Sequence, residues 1–381
     1  MQTDMKYLAS DKMEGREIGS KGEKKAAKYL KKRFKQIGLS PKGTNGYYQV
    51  FSVKQKLNPH SLVKIDTSKS IEGRNVIGYI DNSSKNTIII GAHFDHLGYG
   101  NEGSLSQKKA IHNGADDNAS GVTIMLHLAS WLKNNATNNN YLFIAFSGEE
   151  KGLWGSNWFT KNPTIDLKSV NFMLNFDMVG RLDKERKLAV YGTGTSPTWN
   201  SILPKIASNN TIKMISKESG IGPSDHTSFY LQDMPVLHFF TGQHEDYHKH
   251  TDDFDKINYD GMKTVQAFIQ DVLAEVDNKG KLVFTKTKDE ESRNTPSFSV
   301  TLGVMPDYMH DGLGMRIEGV KENKTADKAG IQKGDIVLKI DNLEITDMMA
   351  YMKALSIYKK GEQSNITIKR GEKEITLKVN W

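Results

Sequence analysis

Six short runs dominated by apolar, β-forming residues recur through the first two thirds of the chain: NVIGYI (75–80), TIIIGA (87–92), YLFIAFS (141–147), VNFMLNFD (170–177), KLAVYG (187–192) and MPVLHFF (234–240). None alternates polar with apolar residues, and strands that lack alternation are buried on both faces. Helical periodicity fills some of the intervals. From Gly121 to Lys133, Val122, Met125, Ala129 and Leu132 share one face, and a second helical pattern runs from Asp260 to Val276. Strands covered on both sides and alternating with helices predict an α/β sandwich, with helices on both faces of a mostly parallel central sheet.

Sheets of this kind bind ligands in the crevice beyond the carboxyl ends of their strands. Here those ends carry chemistry. His93 and Asp95 follow one strand, Glu149 and Glu150 follow another, Asp177 ends a third, and the MPVLHFF run leads into EDYHKHTDD. A further segment, GADDNASG (114–121), precedes the first helical pattern with two adjacent aspartates. Each piece has an ordinary explanation: a surface histidine, a solvated glutamate pair, an aspartate closing a turn. Either aspartate of GADDNASG is able to cap the helix, although Ser120 is better placed. Their convergence on one sheet edge is what the ordinary explanations leave out.

The joint reading is a two-metal site. Cysteine is absent, which leaves His, Asp and Glu as ligands and admits zinc. Two divalent ions about 3.5–4 Å apart act as one centre and need a carboxylate shared between them. Asp95, two residues past His93, suits the acceptor that orients a ligating imidazole. Adjacent glutamates do not readily serve one ion alike, so one would bind metal while the other takes a proton from water.

The segments GAHFDHLG, NGADDNASG, FSGEEKGLWGS, NFDMVGR, GPSDHTSFY and DYHKHTDD, in that order, resemble the co-catalytic zinc aminopeptidases, in the clan that includes glutamate carboxypeptidase and glutaminyl cyclase. LASDKMEGREIGSKGEKKAAKYL is similar to the N-terminal helix region of bacterial members. The resemblance implies two zinc ions: His93 and Asp177 on one, Glu150 and His248 on the other, Asp117 bridging, and a cis peptide bond between Asp117 and Asn118. It implies Glu149 as general base, Asp95 as the carboxylate behind His93, and Tyr247 as a donor to the oxyanion. His248 and His250 compete for the last ligand position, and the family's Tyr-His…Asp pattern favours His248. Pro223 stands where some members carry a tyrosine before SDH. The implied activity is removal of N-terminal residues from peptides with a free amine.

Composition shifts after residue 278. Residues 279–297 are charged and polar and read as a linker between a peptidase domain (1–278) and a final domain (298–381). SVTLGVMPDY and the run Ala326 to Ile340 resemble a bacterial-type PDZ domain, a small mainly-β fold. In that fold the backbone at Leu302, Gly303 and Val304 would cradle a peptide's terminal carboxylate as the peptide adds a strand.

The formal charge is +7, from 52 basic and 45 acidic residues. The signs are interleaved, so no nucleic-acid footprint is read. The most basic stretch, KGEKKAAKYLKKRFKQIG, puts Ala27, Leu30, Phe34 and Ile37 on one face of an amphipathic helix. No apolar run is long enough to span a membrane, and an exported protein with its signal removed is expected, with a cytosolic one as the alternative. Two other functions compete with the aminopeptidase. A carboxypeptidase for acidic C-termini calls for several site arginines, and the site motifs contain only Arg181. A catalytically inactive scaffold is disfavoured by the intact ligand set.

Overall fold

The computed structural model describes residues 1–54, 70–100, 103–106, 108–135, 138–287, 300–307, 310, 312–320 and 323–381. It gathers the six apolar runs into one nine-stranded sheet. The strands are β1 (Ser40–Pro41), β2 (Tyr48–Lys54), β3 (Ser70–Ile80), β4 (Thr87–His93), β5 (Asn140–Phe146), β6 (Val170–Phe176), β7 (Lys187–Tyr191), β8 (Lys213–Lys217) and β9 (Val236–Phe240). The helices are α1 (Gln2–Leu8), α2 (Lys21–Ile37), α3 (Gly121–Asn135), α4 (Trp154–Lys161), α5 (Pro197–Asn209), α6 (His226–Tyr230) and α7 (Tyr259–Val276).

The strand order is β1-β3-β5-β4-β6-β9-β7-β8, with β2 also on β3. The centre, β5-β4-β6-β9, is parallel. β3 joins β5 antiparallel and β7 joins β9 antiparallel, while β7 and β8 run parallel to each other. The parallel character thus belongs to the middle of the sheet and is broken on both flanks. Two-sided burial marks a strand as interior but does not encode the direction of its neighbours.

Burial on both faces is explicit along β4. Ile88, Ile90 and Ala92 join one core with α2, α3, α5 and α7, whereas Ile89 joins another with Phe159 of α4 and Phe229 of α6. Successive side chains of a strand point to opposite faces, so a run of isoleucines serves two cores at once. α2 starts where the Ser20 hydroxyl accepts from the Glu23 N–H, and it stops at Gly38, which is left-handed.

The first part of the stretch read as a linker is packed against this unit. Leu282 is buried and its N–H donates to Asn171 Oδ1 (2.7 Å), and the Thr287 N–H donates to the Tyr230 hydroxyl (3.0 Å). Residues 288–299 lie outside the described residues.

The chain divides into two compact units, the second carrying Ser292–Trp381. Its sheet is wholly antiparallel: β10 (Val304–Pro306), β11 (Met315–Val320), β12 (Ile336–Ile340), β13 (Leu343–Glu344), β14 (Gln363–Arg370) and β15 (Lys373–Asn380). With α8 (Thr325–Lys328) and α9 (Met348–Leu355) it encloses its own core around Leu302, Ile317, Val337, Ile366 and Ile368. Among the described residues no helix is long and apolar enough to cross a membrane.

Candidate metal centre

The parallel strands β4, β5 and β6 end on the same side of the sheet, and each end delivers a polar residue. His93 is the last residue of β4, paired in register with Phe146, the last of β5. Beyond Phe146 the chain turns through Gly148, at φ 82°, into the single turn that holds Glu149 and Glu150. Asp177 follows β6, where its N–H donates to the Phe239 carbonyl (3.3 Å).

Asp117 arrives from the turn that opens α3. Its peptide bond to Asn118 is cis. Asn118 takes the capping role expected of Ser120. Its Oδ1 accepts from the Gly121 N–H (2.9 Å) and its Nδ2 donates to the Phe176 carbonyl (2.8 Å). Ser120 instead donates to the Asp116 carbonyl (2.6 Å) and accepts from the Val179 N–H (3.0 Å). Both side chains tie the start of α3 to the end of β6. A β-carbon at Gly121 would stand 2.3 Å from the Phe176 carbonyl oxygen, so the approach requires glycine.

Two sets of donor atoms meet at Asp117. His93 Nε2 lies 3.4 Å from Asp117 Oδ1 and 3.3 Å from Asp177 Oδ1. On the other side, His248 Nε2 lies 3.2 Å from Asp117 Oδ2 and 3.3 Å from Glu150 Oε2. Ligands at about 2.0–2.1 Å from a tetrahedral zinc ion stand roughly 3.3 Å apart, so both sets fit zinc in spacing as well as in donor type. His250 is not part of either set; its Nδ1 meets the Ser106 hydroxyl (2.9 Å). His248 is at φ 53°, its Nδ1 bonds the Gly103 carbonyl (3.0 Å), and its own carbonyl accepts from the Leu105 N–H (3.0 Å). Tyr247 stacks on its ring at 3.9 Å between centroids.

Several outer contacts differ from the sequence reading or were missed by it. The hydrogen bond from His93 Nδ1 goes to the Asp95 main-chain carbonyl (3.2 Å), with the carboxylate at 3.7 Å. The Asp95 carboxylate accepts from the Glu149 N–H (3.2 Å) and so fixes the glutamate turn. Asp116 accepts from the Gly180 N–H (2.6 Å) and lies 3.1 Å from His244 Nε2. Asp252 Oδ2 accepts from the N–H groups of both Asp116 (2.9 Å) and Asp117 (3.1 Å). Ser224 donates to Asp177 Oδ2 (2.8 Å).

His96 was not foreseen. Its Nδ1 stands 2.7 Å from Glu150 Oε1 and 3.8 Å from Asp117 Oδ2. The first value is a charge-assisted hydrogen bond, shorter than the gap between two ligands of one tetrahedral ion. His96 therefore holds the outer oxygen of Glu150 while Oε2 faces His248. The available signal was a second imidazole three residues after His93, in a loop leaving a buried strand.

Charge reinforces the arrangement. Burial opposes a proton on His93, yet the Asp177 and Glu149 carboxylates raise its pKa well above the usual imidazole value. His248 is raised in the same way, chiefly by Glu150. Burial works against ionised Asp117 and Glu150 too, but the surrounding imidazoles hold Asp117 well below the usual range and Glu150 at about 2. Glu149 moves the other way. Burial raises its pKa well above the usual value, opposed by His93 and reinforced by Asp177 and Glu150. Two neighbouring glutamates are thus separated by environment, one held ionised and the other holding its proton more firmly than usual.

In the C-terminal unit, Leu302 is buried and its carbonyl accepts from the Ala326 N–H (2.8 Å). Gly303 is left-handed at φ 73° and its N–H donates to Thr301 Oγ1 (3.1 Å), while a β-carbon there would stand 2.4 Å from Lys324 Cβ. Val304 opens the edge strand β10.

Comparison with known proteins follows this division. The model of Peptidase family M28 matches residues 75–273, more than half of the chain. The chain belongs to peptidase family M28. A PDZ domain model matches residues 285–381. Among curated relatives, a probable leucine aminopeptidase of Trichophyton verrucosum is 32% identical over 51% of this chain and 54% of its own length. The alkaline phosphatase isozyme conversion protein of Escherichia coli is 30% identical over 43% of this chain and 46% of its own. The chain thus spans about half the length of the curated relatives it matches. In fold it is similar to a zinc aminopeptidase from Bacillus subtilis (TM-score 0.58, 18% identity, 74% of this chain, 97% of that one). A glutaminyl cyclase of Bacteroides thetaiotaomicron is also similar (TM-score 0.56, 19% identity, 71% and 95%).

Proposed function

We propose that the M28 unit is an aminopeptidase that holds two zinc ions, one between His93, Asp177 and Asp117 and the other between Asp117, Glu150 and His248. The observation that carries this reading is the pair of donor sets sharing one aspartate, with 3.2–3.4 Å between neighbouring donors. Bound zinc would supply Lewis-acid activation of water and of the scissile carbonyl. The chain's own residues do the rest. Glu149, whose pKa burial raises, takes the proton from the attacking water and returns it to the leaving amine. Asp95 holds the glutamate turn through the Glu149 N–H. Tyr247, beside His248, offers its hydroxyl to the developing oxyanion.

The carboxypeptidase alternative is weaker. Arg181, the arginine of the site motifs, is already engaged by Asp246 at 2.6 Å. In the C-terminal unit, the loop Leu302–Gly303–Val304 is the proposed seat for a peptide's terminal carboxylate, which would replace Thr301 Oγ1 on the Gly303 N–H. Zinc analysis combined with a panel of aminoacyl anilides and their N-blocked counterparts tests the main reading. Two zinc ions per chain and dependence on a free amine are expected; equal cleavage of blocked substrates would refute it.

A further inference from the structure

The segment MEGREIGS puts an arginine where the site chemistry has no use for one. Arg16 lies at φ 50° and is fully buried. Its guanidinium makes four hydrogen bonds, all to main-chain carbonyls: Nε to Phe94 (2.7 Å), Nη1 to Leu8 (2.7 Å) and Asn113 (2.6 Å), and Nη2 to Gly114 (2.9 Å). The surrounding backbone is equally tight. The Gly98 N–H donates to the Gly15 carbonyl (3.0 Å), and a β-carbon at Gly15 would stand 2.3 Å from the Gly98 oxygen.

The identity of those carbonyls matters. Phe94 sits between His93 and Asp95; Asn113 and Gly114 lead into Asp117. These two stretches leave and re-enter the fold separately, and no strand pairing runs between them among the described residues. A single planar cation bonds to both, beside the main-chain bond from the His112 N–H to the Gly98 carbonyl (2.8 Å), and also ties both to the end of α1. It does so without touching a carboxylate, although Asp117 and Asp95 are close enough to counter the effect of burial, which lowers its pKa to about 10.

We propose that Arg16 is a positioning residue of the metal centre: its fork fixes the distance between the His93 loop and the Asp117 loop, and hence the gap into which the ions fit. This inference rests on the two-zinc reading above. It attributes the effect to the shape of the guanidinium and not to its charge. A lone positive charge beside two dications repels them, so charge alone would weaken zinc binding and its removal would tighten it. A lysine keeps the charge but lacks the planar, multi-donor fork.

The test is zinc affinity by chelator competition on wild type, Arg16→Lys and Arg16→Met. Folding of each metal-free variant is checked by circular dichroism and thermal melting. The expected result is about 10–100-fold weaker binding in both variants, the size typical of residues that orient metal ligands. Variants within twofold of wild type would overturn the proposal, as would normal binding in Arg16→Lys or tighter binding in Arg16→Met. A wild-type chain that fails to take up two zinc ions would instead refute the reading of the site itself. Hydrogen exchange on the wild-type protein avoids the risk that the variants do not fold. Saturating zinc should protect residues 8–16 together with 94–97 and 113–117, although 8–16 supply no ligand; unchanged exchange in 8–16 would overturn the proposal.

Discussion

Two groups of buried imidazoles lie in the same α/β unit and behave in opposite ways. His93 and His248 face Asp117, Asp177 and Glu150, and their pKa values are raised. His226 and His238 stack on each other at 4.5 Å with rings 5° from parallel. Neither ring nitrogen of His226 has a hydrogen-bond partner, and His238 Nδ1 meets only the amide of Asn175 (3.2 Å). Burial therefore dominates this pair: it places His226 well below the usual value with nothing against it, and His238 at about 4 although Asp177 and the Asn175 contact oppose it. The same residue type in the same unit holds its proton or gives it up according to how closely carboxylates approach it.

The sharpest way to break this contrast is to separate the carboxylates proposed to bind from the one proposed to transfer protons. Glu149→Gln should lower kcat by about 10²–10⁴-fold while zinc content by elemental analysis stays at the wild-type value. Retained turnover would remove Glu149 from the chemistry. Asp117→Asn should weaken both zinc sites by more than the roughly 10–100-fold expected of an outer-shell change, read by chelator competition. His238→Phe should leave zinc content unchanged, and loss of zinc there would erase the distinction between the two groups.

Acid should discriminate further. Zinc requires neutral imidazole, and His93 and His248 hold protons more firmly than usual in the metal-free protein. Apparent zinc affinity should therefore rise with pH through the neutral range, by about tenfold per pH unit for each proton released. Titration calorimetry in buffers of different ionisation enthalpy counts those protons, and a count near zero contradicts the raised values. The stacked pair predicts a smaller effect of opposite origin. Its folded pKa values lie below about 6.5, the unfolded value, so below that pH the unfolded chain binds protons that the folded chain refuses. That share of stability is present above pH 6.5 and is lost as pH falls toward about 4. His226→Phe should flatten the loss, with a gain of about 1 kcal/mol at pH 5, measured from urea midpoints at pH 5 and 7. An unaltered acid limb would show that the pair is not its source.

Much of the centre is legible in the sequence because its donors follow strands that are apolar throughout. β4, β5 and β6 announce themselves by composition, and His93, Glu150 and Asp177 sit at their ends. What escaped depends on contacts between distant segments. Nothing near His96 in the chain signals that its ring meets Glu150, and nothing near Asp252 signals that it holds the amides of Asp116 and Asp117. Asn118 displaces Ser120 as the cap through contacts to both Gly121 and Phe176, the second of which is remote in the chain. Arg16 reads locally as one charge among the mixed charges of DKMEGRE, and only the fold shows it buried among carbonyls.

The scattering of these residues has a consequence for how the chain tolerates being cut and rejoined. Every donor and every tie described at the centre falls between Leu8 and Asp252, drawn from turns that alternate along that whole span. A break anywhere inside it separates parts of one machine. By contrast, residues 300–381 close their own core and contribute none of the described donors. The described donors and the second core thus belong to separate stretches of chain, so changes within the core of residues 300–381 leave every described donor in place.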